Sequence, residues 1–228
     1  MPRSHALIPA AGVGARAGAA IPKQYADING LPMLAHTLRA FAAAPGIASV
    51  HLVVSSGDEW LASLAPDVIP EQVRVHRVGG VTRADSVANG LRAMAGEAQG
   101  EDWVLVHDAA RPCITPAMIA AMIAELENDP IGGLLAQPVA DTVKRADPAQ
   151  RVAQTIPRDG LWLAQTPQMF RHAMLADAYA RFPDVTDEAG AIERAGHVPK
   201  LVPGDARNIK VTYPADFALA ALYLKASP

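Results

Sequence analysis

The chain is predicted to fold as an α/β protein on a mainly parallel sheet, and three observations carry that expectation. Short β-branched or apolar runs alternate with helical stretches through the first half of the sequence. Most of these runs are continuously apolar, as strands covered on both faces are. A glycine-rich turn follows the first run directly, and ligands in such sheets bind beyond the carboxyl ends of the strands.

Taken in order, Ala6-Leu7-Ile8 is the first predicted strand and leads into Pro9, Ala10, Ala11, Gly12 and Gly14. A helix is expected over Pro32–Ala44, and a strand over Ser49–Ser55 that stops at Ser56-Gly57-Asp58. Val73–Val78 alternates with period two and ends at Gly79-Gly80. In the helix expected over Arg83–Gly96, Val87, Leu91 and Met94 recur at i, i+4 and i+7 and make one apolar stripe. Trp103–His107 is the next strand. The helix over Pro116–Glu127 has Thr115 as its cap, Pro116 at its first position, and Met118, Ile119, Met122, Ile123 and Leu126 on its buried face.

The middle of the chain breaks this rhythm. Val139–Arg145 and Arg151–Ile156 read as two extended segments joined across Asp147-Pro148. They carry few large apolar residues, and an isolated two-stranded hairpin is marginal in water. This β-arm, at about residues 137–160, is therefore expected to pack on a second copy of the chain. Helices follow over Arg171–Arg181 and Asp187–Ala195, the latter capped by Thr186. Strands near Val198–Val202 and at Asn208–Thr212 and a last helix over Pro214–Lys225 complete one domain spanning residues 1–228.

Composition narrows the function classes. Half of the 228 residues are hydrophobic and 19% are charged, which suits a single folded domain with a substantial core. A formal net charge of −3 gives no basic footprint for nucleic acid. Cys113 is the only cysteine, which excludes an internal disulfide and a cysteine-based zinc site. No apolar run approaches the roughly 20 residues of a membrane span, and no signal peptide is visible. A cytoplasmic location, with no membrane partner, is expected.

The chemistry begins in the first loop. Gly12 and Gly14 allow a tight turn and close approach to a ligand, and Arg16 and Lys23 bring two cations to it. The dinucleotide fingerprint is excluded because Gly18 falls one residue too far from Gly14, and no Gly-Lys-Ser/Thr triplet of a P-loop occurs. What remains is G-x-G-x-R with a lysine seven residues on, a pattern suited to a phosphate. Ser86 could bond a base or ribose; its plainer reading is a helix-start residue. Asp108, directly after an apolar strand, is placed to hold a divalent metal, or to fix its loop by an ion pair with Arg111. His107 reads as a packed strand-end side chain and Cys113 as a small buried residue.

Eight motifs occur in order: Pro9-Ala-Ala-Gly-x-Gly-x-Arg16, Pro22-Lys23-Gln24-Tyr25, Arg83-Ala-Asp-Ser86-Val, Val106-His-Asp108-Ala-Ala-Arg111-Pro, Asp141-Thr142-x-Lys-Arg, Thr166-Pro167-Gln168, Thr186-Asp-Glu188 and Asn208-Ile-Lys210-Val-Thr. Together they span nearly the whole chain, which closely resembles the 2-C-methyl-D-erythritol 4-phosphate cytidylyltransferases of the non-mevalonate isoprenoid pathway. The resemblance implies a Rossmann-like, three-layer mixed sheet, a homodimer formed through interlocked arms, and CTP with Mg²⁺ as cosubstrate and cofactor. The implied reaction is attack of the methylerythritol phosphate on the α-phosphorus of CTP. In it, Arg16 and Lys23 would be catalytic at the α-phosphate. Pro9, Ala10, Ala11, Gly12, Gly14, Gly80 and Ser86 would bind the nucleotide, and Asp108 the metal. Arg158 and Lys210 would grip the attacking phosphate, with Arg111, Thr142, Thr166 and Thr186 also positioning the acceptor. If the arms interlock, Thr142 and Arg158 would serve the partner's site. Val81, Gly190 and Ala17 depart from residues common in the family. The competing readings are transfer to ribitol 5-phosphate and a non-catalytic CTP-binding dimer.

Overall fold

The computed structural model describes residues 2–12, 21–65 and 67–226. In chain order its strands are β1 (Ser4–Pro9), β2 (Asp27–Ile28), β3 (Leu31–Pro32), β4 (Ile47–Val53), β5 (Val73–His76) and β6 (Trp103–Val106), then β7 (Gly132–Pro138), β8 (Val143–Ala146), β9 (Val152–Ile156), β10 (Trp162–Arg171) and β11 (Lys200–Pro203). The helices are α1 (Met33–Ala42), α2 (Arg83–Met94), α3 (Pro116–Leu126), α4 (His172–Arg181), α5 (Glu188–Arg194) and α6 (Pro214–Ala226).

Among the described residues, seven strands form one sheet in the order β11-β7-β10-β6-β1-β4-β5. β1 pairs parallel with β4 on one side and with β6 on the other, and β4 and β11 pair parallel with β5 and β7. Only β10 runs antiparallel to its neighbours, β6 and β7. The sheet is therefore mixed and mainly parallel, with helices on both faces.

Alternation along β1 sorts the two cores. Ala6 and Ile8 pack with Leu34, Leu38 and Phe41 of α1 and Ile119 and Met122 of α3. Leu7 faces the other way, among Val87 and Leu91 of α2, Leu175 of α4 and Ile192 of α5. These strand residues are fully buried, each worth about 1.5–3 kcal/mol for a large aliphatic side chain. A third, smaller cluster joins Ile28, Met33, Cys113, Val211 and Ala220, seating α6 against the start of α1.

Several local expectations need correction. β7 and β10 have no counterpart in the sequence reading. β10 contains Pro167, which argues against a strand because it cannot donate to the ladder. The pairing with β7 shifts register between Ala164 and Gln168, so the proline sits where the ladder is already interrupted. Asn208–Thr212 is not a strand. Its amides go elsewhere: Val211 donates to the Ala110 carbonyl, and Thr212 to the Asp216 carboxylate. Asp187, not Thr186, caps α5 by accepting from the Gly190 amide. Among the described residues β8 and β9 pair only with each other, as a ribbon outside the main sheet.

β1 is the switch point of the sheet, where the chain winds first toward β4 and later toward β6. The crevice such a switch opens lies beyond the carboxyl ends of β1 and β6. No helix among the described residues is long and apolar enough to cross a membrane.

Candidate active site

A cleft of about 760 Å³ occupies that crevice. Its walls come from the Pro9–Gly12 segment after β1, Lys23 and Gln24, the turn from Gly80 into α2, Asp108–Ala110 after β6, and Lys210 with Thr212. Gln24 shapes the first wall. It is buried, and its Nε2 donates to the carbonyls of Ala10 at 2.9 Å and Gly12 at 3.0 Å. Two oxygens that would repel an anion are thereby taken up by the protein. Gly79 allows the facing turn to close on this segment, because a Cβ there would lie 2.2 Å from that of Ala11.

The turn itself is locked to α2. Thr82 and Asp85 form a reciprocal capping box. Ser86 accepts from the Gly80 amide at 3.0 Å and donates to the Thr82 carbonyl at 2.9 Å. Ser86 lines the cleft, and its hydroxyl proton is spent on the helix start, as its plainer reading expects. Val81 projects fully exposed at the rim.

The floor carries a compact charge network. Asp108 sits 2.8 Å from Arg83 Nε and 2.7 Å from Lys210 Nζ. Burial alone would raise the carboxyl's pKa, but the two cations outweigh it and hold the group well below the usual carboxylate range. Arg83 also reaches Glu188, with Nη1–Oε1 at 2.7 Å and Nη2–Oε2 at 3.1 Å. Tyr179 donates to Glu188 Oε1 at 2.7 Å. Burial opposes the charge on Arg83, and the two carboxylates more than compensate, raising its pKa. The expected Asp108–Arg111 pair is not formed: Arg83 and Lys210 take the carboxylate. Arg111 instead donates to the carbonyls of Asn208 at 2.6 Å and Ala164 at 3.4 Å.

A second network supports the Asp108 loop from beneath. His107 Nε2 faces the Arg111 carbonyl at 3.2 Å, which can only accept, so that nitrogen carries the proton. Nδ1 is then free to accept from the Thr166 hydroxyl at 3.1 Å, and Thr166 Oγ1 accepts from the Asp108 amide at 3.1 Å. Burial keeps this imidazole neutral, with its pKa lowered to about 4. Asn208 Nδ2 donates to the Thr166 carbonyl at 2.8 Å. Arg111 Nε and Asn208 Oδ1 are buried and find no partner among the described residues.

The structure gathers Pro9, Ala10, Ala11, Gly12, Lys23, Gly80, Ser86, Asp108 and Lys210 around the cleft. Thr166 and Arg111 are buried below it rather than lining it. Thr142 and Arg158 are exposed on the arm, where Arg158 donates to the Ala140 carbonyl. Thr186 is exposed ahead of α5. None of these three lines the cleft of its own chain. Gly14 and Arg16 lie outside the described residues. Arg83, Gln24, Glu188 and Tyr179 were assigned no role from sequence. The signal for Gln24 and Arg83 was their place inside quoted motifs; for Tyr179, in mid-helix, there was none.

A doubly wound sheet that presents lysines and one carboxylate at its switch point is built to hold a nucleotide by its phosphates, and the class it defines is the α/β nucleotidyltransferase. The family model described as IspD: 2-C-methyl-D-erythritol 4-phosphate cytidylyltransferase matches residues 4–226, and the chain belongs to that family. It is 57% identical over 226 residues to the 2-C-methyl-D-erythritol 4-phosphate cytidylyltransferase of Dechloromonas aromatica (strain RCB), covering 99% of each chain. Its fold matches a crystal structure of 4-diphosphocytidyl-2C-methyl-D-erythritol synthase with a TM-score of 0.87 at 41% identity, over 98% of this chain and 99% of the other. The Francisella tularensis 2-C-methyl-D-erythritol 4-phosphate cytidylyltransferase matches with a TM-score of 0.82 at 34% identity, over 97% and 99% of the two chains.

Proposed function

We propose that the chain transfers the cytidylyl group of CTP to 2-C-methyl-D-erythritol 4-phosphate. An oxygen of the acceptor phosphate forms the new bond to the α-phosphorus, and the bond to the leaving pyrophosphate breaks. The observation that carries this reading is the cleft at the switch point, which Lys23 and Lys210 line together with one buried carboxylate, Asp108, paired to Lys210. The nucleophile is already an anion, so no general base is required. Catalysis then rests on bringing two polyanions together and stabilising the charge spread over the α-phosphoryl group.

Lys23, anchored 2.6 Å from the Val211 carbonyl, and Arg16 supply that stabilisation in this reading. The Ala10–Gly12 backbone and the Gly80 turn hold the nucleotide. Lys210, together with Arg158, grips the acceptor phosphate in this reading. Among the described residues no three His, Cys, Asp or Glu side chains could enclose a metal by themselves. One carboxylate beside a triphosphate is, however, the donor set Mg²⁺ uses with nucleotides. Asp108 would hold that ion, which supplies charge neutralisation on the phosphate oxygens.

The chain is further proposed to work as a homodimer through the β8–β9 arm. Among the described residues the arm pairs with no strand of the main sheet. Val152 on it and Leu161, Trp162 and Leu163 at its base are exposed, an apolar surface suited to a second copy. In such a dimer Thr142 and Arg158 would reach the neighbouring cleft, which accounts for their absence from their own. Sedimentation as a monomer at micromolar concentration would reject the dimer. A cytoplasmic location is proposed with it, in keeping with the single buried thiol of Cys113.

The deciding experiment is pyrophosphate release from Mg·CTP, with 2-C-methyl-D-erythritol 4-phosphate and ribitol 5-phosphate compared side by side. Fast release with the first alone is expected. Preference for ribitol phosphate would reassign the acceptor, and silence with both would leave a CTP-binding dimer.

A further inference from the structure

We propose that Tyr179 and Glu188 are positioning residues for the transfer, acting through Arg83 to fix the Asp108 carboxylate at the cleft floor. The inference rests on the reading of Asp108 given above and extends it to two residues that do not line the cleft.

Four elements contribute to one connected path. Tyr179 on α4 donates to Glu188, the first residue of α5, at 2.7 Å. Glu188 takes both terminal nitrogens of Arg83 at 2.7 and 3.1 Å. Arg83, the first residue of α2, then places Nε 2.8 Å from Asp108 Oδ1, after β6. A bidentate carboxylate on the planar guanidinium sets its direction as well as its place. With Nη1 and Nη2 held by Glu188, the Nε–H direction is fixed, and Asp108 Oδ1 with it. Oδ2 is left turned to Lys210.

Stability alone does not account for this arrangement. Glu188 is completely inaccessible to solvent, and taking such a charge out of water is costly even when it is paired. Apolar residues of similar volume fill a core at least as well. What they cannot do is balance Arg83. Asp108 and Glu188 carry two negative charges, Arg83 and Lys210 two positive ones, so the floor is neutral as a set. Without Glu188, Arg83 and Lys210 would share the single carboxylate of Asp108, and Arg83, no longer held at Nη1 and Nη2, could swing onto the triphosphate and leave Asp108 to Lys210 alone.

The test compares Glu188→Gln and Tyr179→Phe with the unaltered chain. Glu188→Gln keeps the shape and removes the charge; Tyr179→Phe removes one hydroxyl and leaves the ion pairs in place. Kinetics are read as kcat and KM for each substrate, and CTP binding is measured without acceptor by calorimetry, with Mg²⁺ and with EDTA. For Glu188→Gln, kcat is expected to fall about 10–100-fold, the usual effect of losing a group that orients a ligating side chain. The KM for the sugar phosphate should hold, and the gain in CTP affinity on adding Mg²⁺ should shrink. Tyr179→Phe should show the same pattern more weakly, at a melting temperature within a few degrees of the parent. If Glu188→Gln does not fold, Tyr179→Phe decides alone. Unchanged kcat and unchanged Mg²⁺ dependence of CTP binding in a folded variant would overturn the proposal. So would a loss confined to melting temperature. An unaltered chain that releases no pyrophosphate would instead count against the parent reading. The binding measurements would still report on the path to Asp108.

Discussion

At the scale of single residues, the cleft divides its cations by what holds them. Lys210 is paired to Asp108 at 2.7 Å, and Lys23 donates to the Val211 carbonyl at 2.6 Å. Lysine carries a compact charge on a flexible stem, and at the cleft wall it can turn to a phosphate. Lys23→Ala is therefore expected to lower kcat by about a hundredfold or more, on the scale of losing one transition-state donor, while circular dichroism shows an intact fold. Near-normal turnover would remove Lys23 from the mechanism. Arg158 is exposed on the arm, where its side chain donates to the Ala140 carbonyl. Arg158→Ala should raise the KM for the sugar phosphate and leave that for CTP unchanged; an unaltered response to both substrates would reject its assignment.

At the scale of elements, the start of α2 does more than any other helix end. One turn holds the capping box of Thr82 and Asp85, the Ser86 bond to Gly80, and Arg83 reaching across to Asp108 and Glu188. The helix therefore transmits its own geometry to both the nucleotide wall and the charged floor. Thr82→Ala deletes the cap and should lower stability by about 1 kcal/mol, measured as a shift in the denaturant midpoint with an unchanged slope. A midpoint equal to that of the parent would mean that the Ser86 bond and Asp85 alone hold the turn.

At the scale of the whole molecule, a chain of imidazoles, buried at His5 and His51 and half-buried at His76, sets the response to acid. His5 Nδ1 and His51 Nε2 both lie 2.7 Å from Ser49 Oγ, and His51 Nδ1 lies 2.9 Å from His76 Nε2. Burial lowers the pKa of each histidine, most for His51, which the charges of His76 and His5 help to bring to about 3. In the unfolded chain an imidazole titrates near ~6.5, so the unfolded state binds protons that the folded state refuses. The stability tied to these groups is intact above that pH and falls as pH drops toward the folded values. Each histidine contributes a slope of about 1.4 kcal/mol per pH unit within its own window, and His107 adds to it. Thermal unfolding should be nearly level from pH 8 to 7 and fall steeply between pH 6 and 4. A melting temperature that stayed level to pH 4 would contradict this account.

Local pattern alone determined the parallel half of the sheet, because β1, β4 and β6 are short, mainly apolar runs and β5 an alternating one, bounded by glycine or turn residues. The caps of α3 at Thr115 and Pro116 were legible for the same reason: a cap is a bond between residues three apart. The motifs also marked Lys23, Asp108, Lys210 and Ser86, which the fold brings to one cleft. Tertiary structure decided the rest. β10 is a strand only because β6 and β7 flank it and the ladder breaks where Pro167 falls. Asn208–Thr212 looks extended in sequence but finds its partners in Ala110 and Asp216 rather than in a neighbouring strand. The partner of Asp108 could not be read locally either. Arg111 is three residues away and Arg83 twenty-five, and chain separation says nothing about which guanidinium α2 delivers to the end of β6. Charges choose partners through space, and only the packed sheet defines that space.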